Sequence, residues 1–94
     1  MLPAATAYSS FAANDIAAEK RFYAGTLGLD VEELYDGQLL ALRLGPEKRL
    51  LIYAKDDFTP ATYTVLNFPV PDVEAAVDEL TASGVQMAFF DGFD

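Results

Sequence analysis

The strongest constraint on the fold is an internal repeat. A shift of 57 positions, the separation of Asp15 from Asp72, superimposes the stretch around the first acid on the stretch around the second. The matched pairs are Phe11 with Phe68, Ala13 with Val70, Asp15 with Asp72, Ile16 with Val73, and Ala18 with Ala75. In each copy an extended apolar run precedes the acid and a glycine follows the helical pattern. The sequence therefore predicts two related units, and not one irregular series of elements.

The first unit is predicted to have the order βαβββ. Residues 6–13 are short and small, as in a strand buried on both faces, and Asn14-Asp15 caps a helix that ends at Gly28. The helical stripe consists of Ile16, Lys20, Tyr23 and Leu27, with Phe22 beside it. Residues 31–35 and 38–44 form a hairpin around a two-residue Asp36-Gly37 turn. A turn at Gly45-Pro46 leads to a strand over 49–55.

The second unit is predicted to have the order βαβ. Residues 62–70 form a strand, and Pro71-Asp72 opens a helix with an apolar stripe. Gly84 ends this helix, and residues 85–90 form the next strand.

Composition excludes several kinds of chemistry. The 94 residues contain neither cysteine nor histidine, which excludes disulfides, thiolate metal sites and every Ser-His or Cys-His nucleophile pair. No apolar run approaches the roughly 20 residues of a membrane span, and the first residues carry no basic segment typical of a secretory signal. We therefore expect a soluble, cytoplasmic protein with no membrane partner.

The charge of the chain is strongly acidic. Fifteen Asp and Glu residues against six Lys and Arg give a net charge of −9, and all six bases lie within residues 1–55. Phosphate backbones require clustered cations, so nucleic acid is excluded as a partner. The acidity indicates either a solvated surface or a groove that attracts a cationic small molecule.

Two segments resemble a known superfamily. Asn14-Asp15 followed by Phe22-Tyr23-Ala24-Gly25-Thr26-Leu27-Gly28-Leu29 resembles the first-helix signature of the vicinal oxygen chelate superfamily, which includes glyoxalase I, bleomycin-resistance proteins and extradiol dioxygenases. Residues 65–84 look like the start of that superfamily's second module. The resemblance implies an α+β fold in which paired βαβββ modules surround a ligand cavity, and homodimers are common in the family.

The resemblance divides a single domain over residues 1–94 into two modules. The first module covers about residues 6–55, and the second covers about residues 62–94 and stops two strands early. An open sheet would expose unpaired backbone groups along an apolar edge. We therefore expect that the protein is longer, or else that a partner chain covers this edge.

The resemblance also locates the metal-ligand positions of the family's enzymes. The first-strand ligand lies seven residues before the capping acid, which gives Tyr8 in the first module and Val65 in the second. Valine offers no lone pair, and a neutral phenol is a poor ligand for Zn²⁺, Ni²⁺ or Fe²⁺. A third position, around Tyr53-Ala54, holds no carboxylate. We expect no metal and no cofactor.

Strand alternation predicts which residues line the cavity. Tyr8, Ser10 and Asn67 face the concave side of the sheet, while Phe11 and Phe68 pack under the helices. The predicted ligand-binding residues are Tyr8, Ser10, Tyr53, Asn67 and Phe89. Two alternatives remain open: the aromatic residues belong to the core, and Asn67 bonds across the sheet. No catalytic residue is identified.

Charged residues near the strand ends are interpreted mainly as solvated. Arg43 and Lys55 end neighbouring strands, where they are rim charges or pair with an anionic ligand. Asp91 and Asp94 lack the ligand count of a calcium loop and are read as part of a solvated turn.

Three functions remain. The leading hypothesis is a glyoxalase/bleomycin-resistance-like homodimer that binds a small, possibly cationic, organic molecule without a metal. The alternative is a metal-dependent enzyme similar to lactoylglutathione lyase or extradiol dioxygenase. The third is a duplicated interaction module with no ligand.

Overall fold

The first module forms a four-stranded mixed sheet. The computed structural model describes residues 1–88. A short 3₁₀ turn, Ala4–Thr6, precedes β1 (Ser9–Ala13), and the other strands are β2 (Asp30–Leu34), β3 (Leu39–Gly45) and β4 (Lys48–Ala54). The strand order is β1-β4-β3-β2, with β1 parallel to β4 and the remaining pairs antiparallel. The predicted βαβββ order of this module is confirmed, and so is the α+β class.

The first helix changes its hydrogen bonding half-way along. Helix α1 (Ile16–Lys20) continues as a π-helical segment, Arg21–Thr26, which the sequence pattern predicted as more α-helix. The wider turns are visible where the Leu27 N–H donates to the Phe22 carbonyl at 2.9 Å. Gly28 then ends the helix with φ +71°, a left-handed conformation that glycine adopts without a steric penalty.

The core lies on one face of this sheet. Six residues form its buried centre: Ala13, Ile16, Leu40, Leu42, Leu50 and Ile52. Ile16 brings α1 onto the face formed by alternate residues of the strands, as the apolar helical stripe predicted. The predicted placement of Phe11 on the helix side of the sheet is confirmed, since it packs against this cluster.

The opposite face of the sheet follows from the register. Phe11 pairs with Ile52 on the core side, so Ser10, which pairs with Leu51, and Tyr53, which pairs with Ala12, point the other way. We call this second surface the open face. Ser10 is exposed, and 41% of Tyr53 is accessible to solvent.

The hairpin between β2 and β3 has a longer loop than predicted. Leu34 pairs with Leu39, which leaves four residues in the loop instead of the two expected at Asp36-Gly37. Tyr35, Asp36 and Gly37 all have positive φ, and the Gln38 N–H donates to the Tyr35 carbonyl at 3.1 Å. The Asp-Gly pair therefore marked the right turn but not its length.

The second module forms its helix but not its strands. Helix α2 (Val73–Ala82) begins at the capping acid Asp72, and Gly84 follows it with φ +93°. The predicted strands are wrong for residues 62–70 and 85–88, which are irregular, while residues 89–90 lie outside the described part of the chain.

The sheet of the first module explains why these strands do not form. There β1 bonds only to β4, and β2 bonds only to β3. By the repeat, residues 62–70 and 85–90 correspond to β1 and β2. Residues 1–94 contain no second-module counterparts of β3 and β4, so both segments lack their partners.

Within residues 1–88, no helix is both long enough and apolar enough to cross a lipid bilayer.

Candidate functional site

A hollow of about 540 Å³ lies at the sheet edge formed by β1, beside the start of β4. Three parts of the chain line it: the N-terminal segment, the end of the β3–β4 hairpin, and the second-module residues 65–67. We call it the β1–β4 hollow. Its lining residues are Ala4, Ala5, Ala7, Tyr8, Ser9, Leu44, Lys48, Arg49, Leu50, Val65, Leu66 and Asn67.

The hollow brings together equivalent positions of the two modules. Tyr8 and Val65 are the positions that the resemblance equates with the first-strand metal ligands, and both line this one space. Asn67 lines it as well, two residues beyond Val65. Residues far apart in the sequence therefore meet at one site, as a cavity between two modules requires.

The donor atoms of the hollow do not fit a divalent metal ion. Val65 has no donor atom, and the Tyr8 phenol is a weak ligand when neutral. Of the residues that the structure describes, no Asp or Glu lines the hollow, and Lys48 and Arg49 add positive charge. Elsewhere in residues 1–88, no group of three or more His, Cys, Asp or Glu residues is placed to hold a metal.

Arg49 is held against an aromatic ring. Its guanidinium carbon lies 5.6 Å from the centre of the Tyr8 ring, within the range of a cation–π interaction. Tyr8 is 56% exposed, so the pair sits at the mouth of the hollow and not in the core. The contact fixes one cation at the edge of the sheet.

Arg43 is satisfied in a different way. It pairs with Arg49 across the β3–β4 ladder, but its side chain bonds Glu32 at 3.0 Å and approaches Asp30 at 3.8 Å. Both acids lie on β2, on the far side of Arg43 from Arg49. The two cross-strand arginines therefore differ in their surroundings. Arg43 is neutralised by carboxylates, whereas Arg49 lines the hollow.

The predicted ligand-binding residues fall in two places. Tyr8 and Asn67 line the hollow, whereas Ser10 and Tyr53 lie on the open face and do not line it. Phe89 lies outside the described residues.

Sequence analysis missed Lys48 and Arg49. It singled out Arg43, which has carboxylate partners, and Lys55, which does not line the hollow. The available signal was a pair of adjacent bases that follows the Gly45-Pro46 turn after one residue, Glu47, in an otherwise acidic chain.

A second cavity, of about 600 Å³, lies between the first helix and the second module. Its walls are largely apolar and include Phe22, Leu27, Phe68 and Leu80. Tyr23 also lines it, and burial, followed by the nearby charge of Glu19, raises the pKa of this phenol. Glu79 is its only acidic lining residue within the described chain.

The neighbouring Glu19 side chain is itself perturbed. Partial burial raises the pKa of its carboxyl, and the charge of Asp15 adds to the shift. Glu19 and Tyr23 are four residues apart on one helical face, so the carboxylate of Glu19 opposes ionisation of the Tyr23 phenol.

The sequence matches no protein-family model and no curated protein. The fold, however, is similar to that of the glyoxalase family protein from Enterococcus faecalis. The two share 25% identity with a TM-score of 0.57, over 85% of this chain and 71% of the other. The chain therefore has a glyoxalase-like fold.

Proposed function

We propose that this chain is a glyoxalase/bleomycin-resistance-like protein that binds a small organic molecule in the β1–β4 hollow without a metal. The observation that carries the proposal is the meeting of Tyr8, Val65 and Asn67 in that hollow. Tyr8 and Val65 occupy the positions that the resemblance equates with the first-strand metal ligands. Together with Asn67 they offer contacts to an organic ligand, but they lack the carboxylate and imidazole groups that hold a divalent ion.

The lining has the composition of a small-molecule site. Apolar side chains such as Leu44 and Leu66 supply about half of the surface, and polar groups, which fix the orientation of a ligand in such sites, supply the rest. Within residues 1–88, the Asn67 amide makes no hydrogen bond to protein. Its N–H and carbonyl groups are therefore available to orient a ligand.

Ser10 and Tyr53 extend the proposed contact surface onto the open face. Both project from this face because they alternate with the core-side residues Phe11 and Ile52 along their strands. A ligand larger than the hollow would reach across β1 to these side chains.

A metal-dependent enzyme similar to lactoylglutathione lyase or extradiol dioxygenase is the competing function. The donor set argues against it, since Val65 is unable to coordinate and Lys48 and Arg49 repel a cation. Metal analysis after dialysis without chelator separates the two functions: one tightly held Ni, Zn or Fe per chain would support the enzyme.

The binding proposal is tested by ligand-observed NMR. A panel of cationic, neutral and anionic aromatic molecules is screened against the protein in the presence of EDTA. We expect at least one class to bind, and Asn67→Ala to weaken that binding about tenfold through loss of its hydrogen bonds.

Gln38→Ala is the matched control, because it removes an exposed carboxamide that lines neither cavity. Silence of the whole panel would contradict the proposal. So would binding that disappears with EDTA and returns with added metal, or equal weakening by the two variants.

We further propose that the protein acts in the cytoplasm as a homodimer. Absence of cysteine suits a reducing compartment. The second module exposes large apolar side chains, including Phe68 at 48% and Val73 at 67%, and a second copy would cover them.

A further inference from the structure

We infer that the β1–β4 hollow selects an anionic small molecule, one that presents a carboxylate or phosphate group to Arg49 and Lys48. This inference rests on the proposed function, because it names the chemical class of the ligand for the same site. It departs from the expectation of a cationic ligand, which followed from the net charge of the whole chain.

The charge of the hollow is opposite to that of the protein. Lys48 and Arg49 both line it, and none of the acidic residues among residues 1–88 does, although the chain as a whole carries −9. Screening limits the reach of distant surface charges to roughly 8–10 Å at physiological salt, so the nearest side chains dominate the potential that a ligand meets. A cation would be repelled at the point of contact.

The two bases are available for a ligand because no acidic side chain in the described part of the chain pairs with them. Among residues 1–88, the ion pairs are those of Lys20 with Glu33 and of Arg43 with Asp30 and Glu32. Neither Lys48 nor Arg49 forms an ion pair or a side-chain hydrogen bond there.

The surroundings of Arg49 prepare it for an oxyanion. The contact with Tyr8 positions the guanidinium group without using its hydrogen-bonding capacity, so its N–H groups are able to donate two parallel hydrogen bonds to a ligand. Asn67 and Ser9 add neutral donors in the same hollow. Bidentate donors beside an amide are typical of sites that bind carboxylate or phosphate groups.

The test uses four compounds that share a benzene ring and differ in the charge of the substituent. They are benzoate, phenyl phosphate, benzyl alcohol and benzylammonium. Affinities are measured by NMR titration of the whole protein, following the backbone amides of Tyr8 and Asn67. We expect benzoate, phenyl phosphate or both to bind more tightly than the neutral and cationic members, with an affinity that falls as salt rises. A preference between the two anions identifies a carboxylate or a phosphate ligand.

Charge-removing variants locate the effect. We expect Arg49→Gln to weaken anion binding about tenfold and Lys48→Gln to weaken it less, since arginine supplies the bidentate contact. The matched controls are Arg21→Gln and Lys55→Gln, which make the same change in net charge at exposed bases outside the hollow. Circular dichroism establishes whether each variant is folded. If Arg49→Gln does not fold, Lys48→Gln still tests the inference.

Two results would overturn the inference. If benzylammonium or benzyl alcohol bound in the hollow as tightly as the anions, ligand binding would stand but the anionic class would fail. Equal weakening by Arg21→Gln and Arg49→Gln would show general electrostatic attraction in place of a site. If none of the four probes and none of the wider aromatic panel shifted Tyr8 or Asn67, the proposed function itself would fail.

Discussion

The two modules have the same signal at the start of their helices but differ in how many apolar side chains they bury. In both, the capping carboxylate accepts a hydrogen bond at 3.0 Å, Asp15 from the Ala18 N–H and Asp72 from the Ala75 N–H. Among residues 1–88, however, all seven buried apolar residues belong to the first module, and α2 buries none of its ten residues. A helix cap needs only its own turn of chain, whereas burial needs a sheet against which the helix packs.

The difference follows from where hydrogen-bond partners lie along the chain. A helix bonds to itself within four residues, so the repeated pattern is sufficient to form α2. A strand needs a neighbour, and β1 and β2 acquire theirs only when β3 and β4 are present. Within residues 1–88, the repeated pattern therefore forms a capped helix in both modules but a sheet only in the first.

The largest expected effect comes from matched leucine truncations. Leu42 is fully buried in the first module, while Leu80 is only half-buried in α2. We expect Leu42→Ala to lower the free energy of unfolding by about 2–5 kcal/mol and Leu80→Ala by about 1 kcal/mol or less, measured by urea denaturation. Equal losses would mean that the second module is part of the main cooperative core.

Self-association tests whether the exposed side of the second module is a contact surface. We expect Phe68→Ser to raise the dimer dissociation constant about tenfold or more, because a buried phenylalanine contributes roughly 1.5–3 kcal/mol. Sedimentation equilibrium measures it, with Leu2→Ser as the control at an exposed apolar residue of the N-terminal segment. A wild-type protein that stays monomeric at high concentration would refute the dimer.

The two caps allow a comparison at equal chemistry. Asp15→Ala and Asp72→Ala each remove one cap hydrogen bond, which stabilises a helix by about 1 kcal/mol. We expect only Asp15→Ala to lower global stability by that amount, because α1 is part of the core. In Asp72→Ala, amide exchange in α2 accelerates with little change in global unfolding. The Asn variants keep an acceptor and serve as controls. Similar global losses in both alanine variants would contradict the difference between the modules.

The smallest effect concerns Glu19, whose counterpart under the repeat is Ala76. The pKa of Glu19 is raised above its ordinary 4.5, so the folded state holds this proton more tightly than the unfolded state. Its contribution favours folding at low pH and is lost as pH rises through the raised pKa. We therefore expect Glu19→Gln to stabilise the protein relative to wild type at pH 7 but not at pH 4, measured by urea unfolding.

The same substitution has a spectroscopic readout. Removing the Glu19 charge lowers the raised pKa of Tyr23, which stays above 10.0 because burial is the larger cause. Ultraviolet titration of the phenolate checks this, and Glu33→Gln is a control acid on β2. An unchanged Tyr23 pKa would show that the two side chains do not interact.

Sequence reasoning succeeded where the information is local. Neighbouring residues determine the helix caps at Asp15 and Asp72 and the helix ends at Gly28 and Gly84. Strand alternation determines which face of the sheet Phe11 occupies. The prediction of strands in the second module was wrong because an alternating sequence favours a strand but does not supply the neighbouring strand that bonds to it.

Some residues of the candidate site could be predicted from the sequence, and others could not. Counting back from each cap located Tyr8 and Val65, which do meet in one hollow. The positive lining was missed, because it depends on which arginine finds carboxylates. Only the register across β2, β3 and β4 shows that Asp30 and Glu32 neutralise Arg43 and leave Arg49 free of them.

The π-helical segment Arg21–Thr26 marks a place where this chain is able to change length. Such a segment amounts to one additional residue that a single wide turn absorbs within an α-helix. A single deletion there would restore regular α-helical winding and leave Ile16 and Leu29, which pack on the core, in their present register. Homologues one residue shorter in this stretch are thus expected to keep the same core contacts.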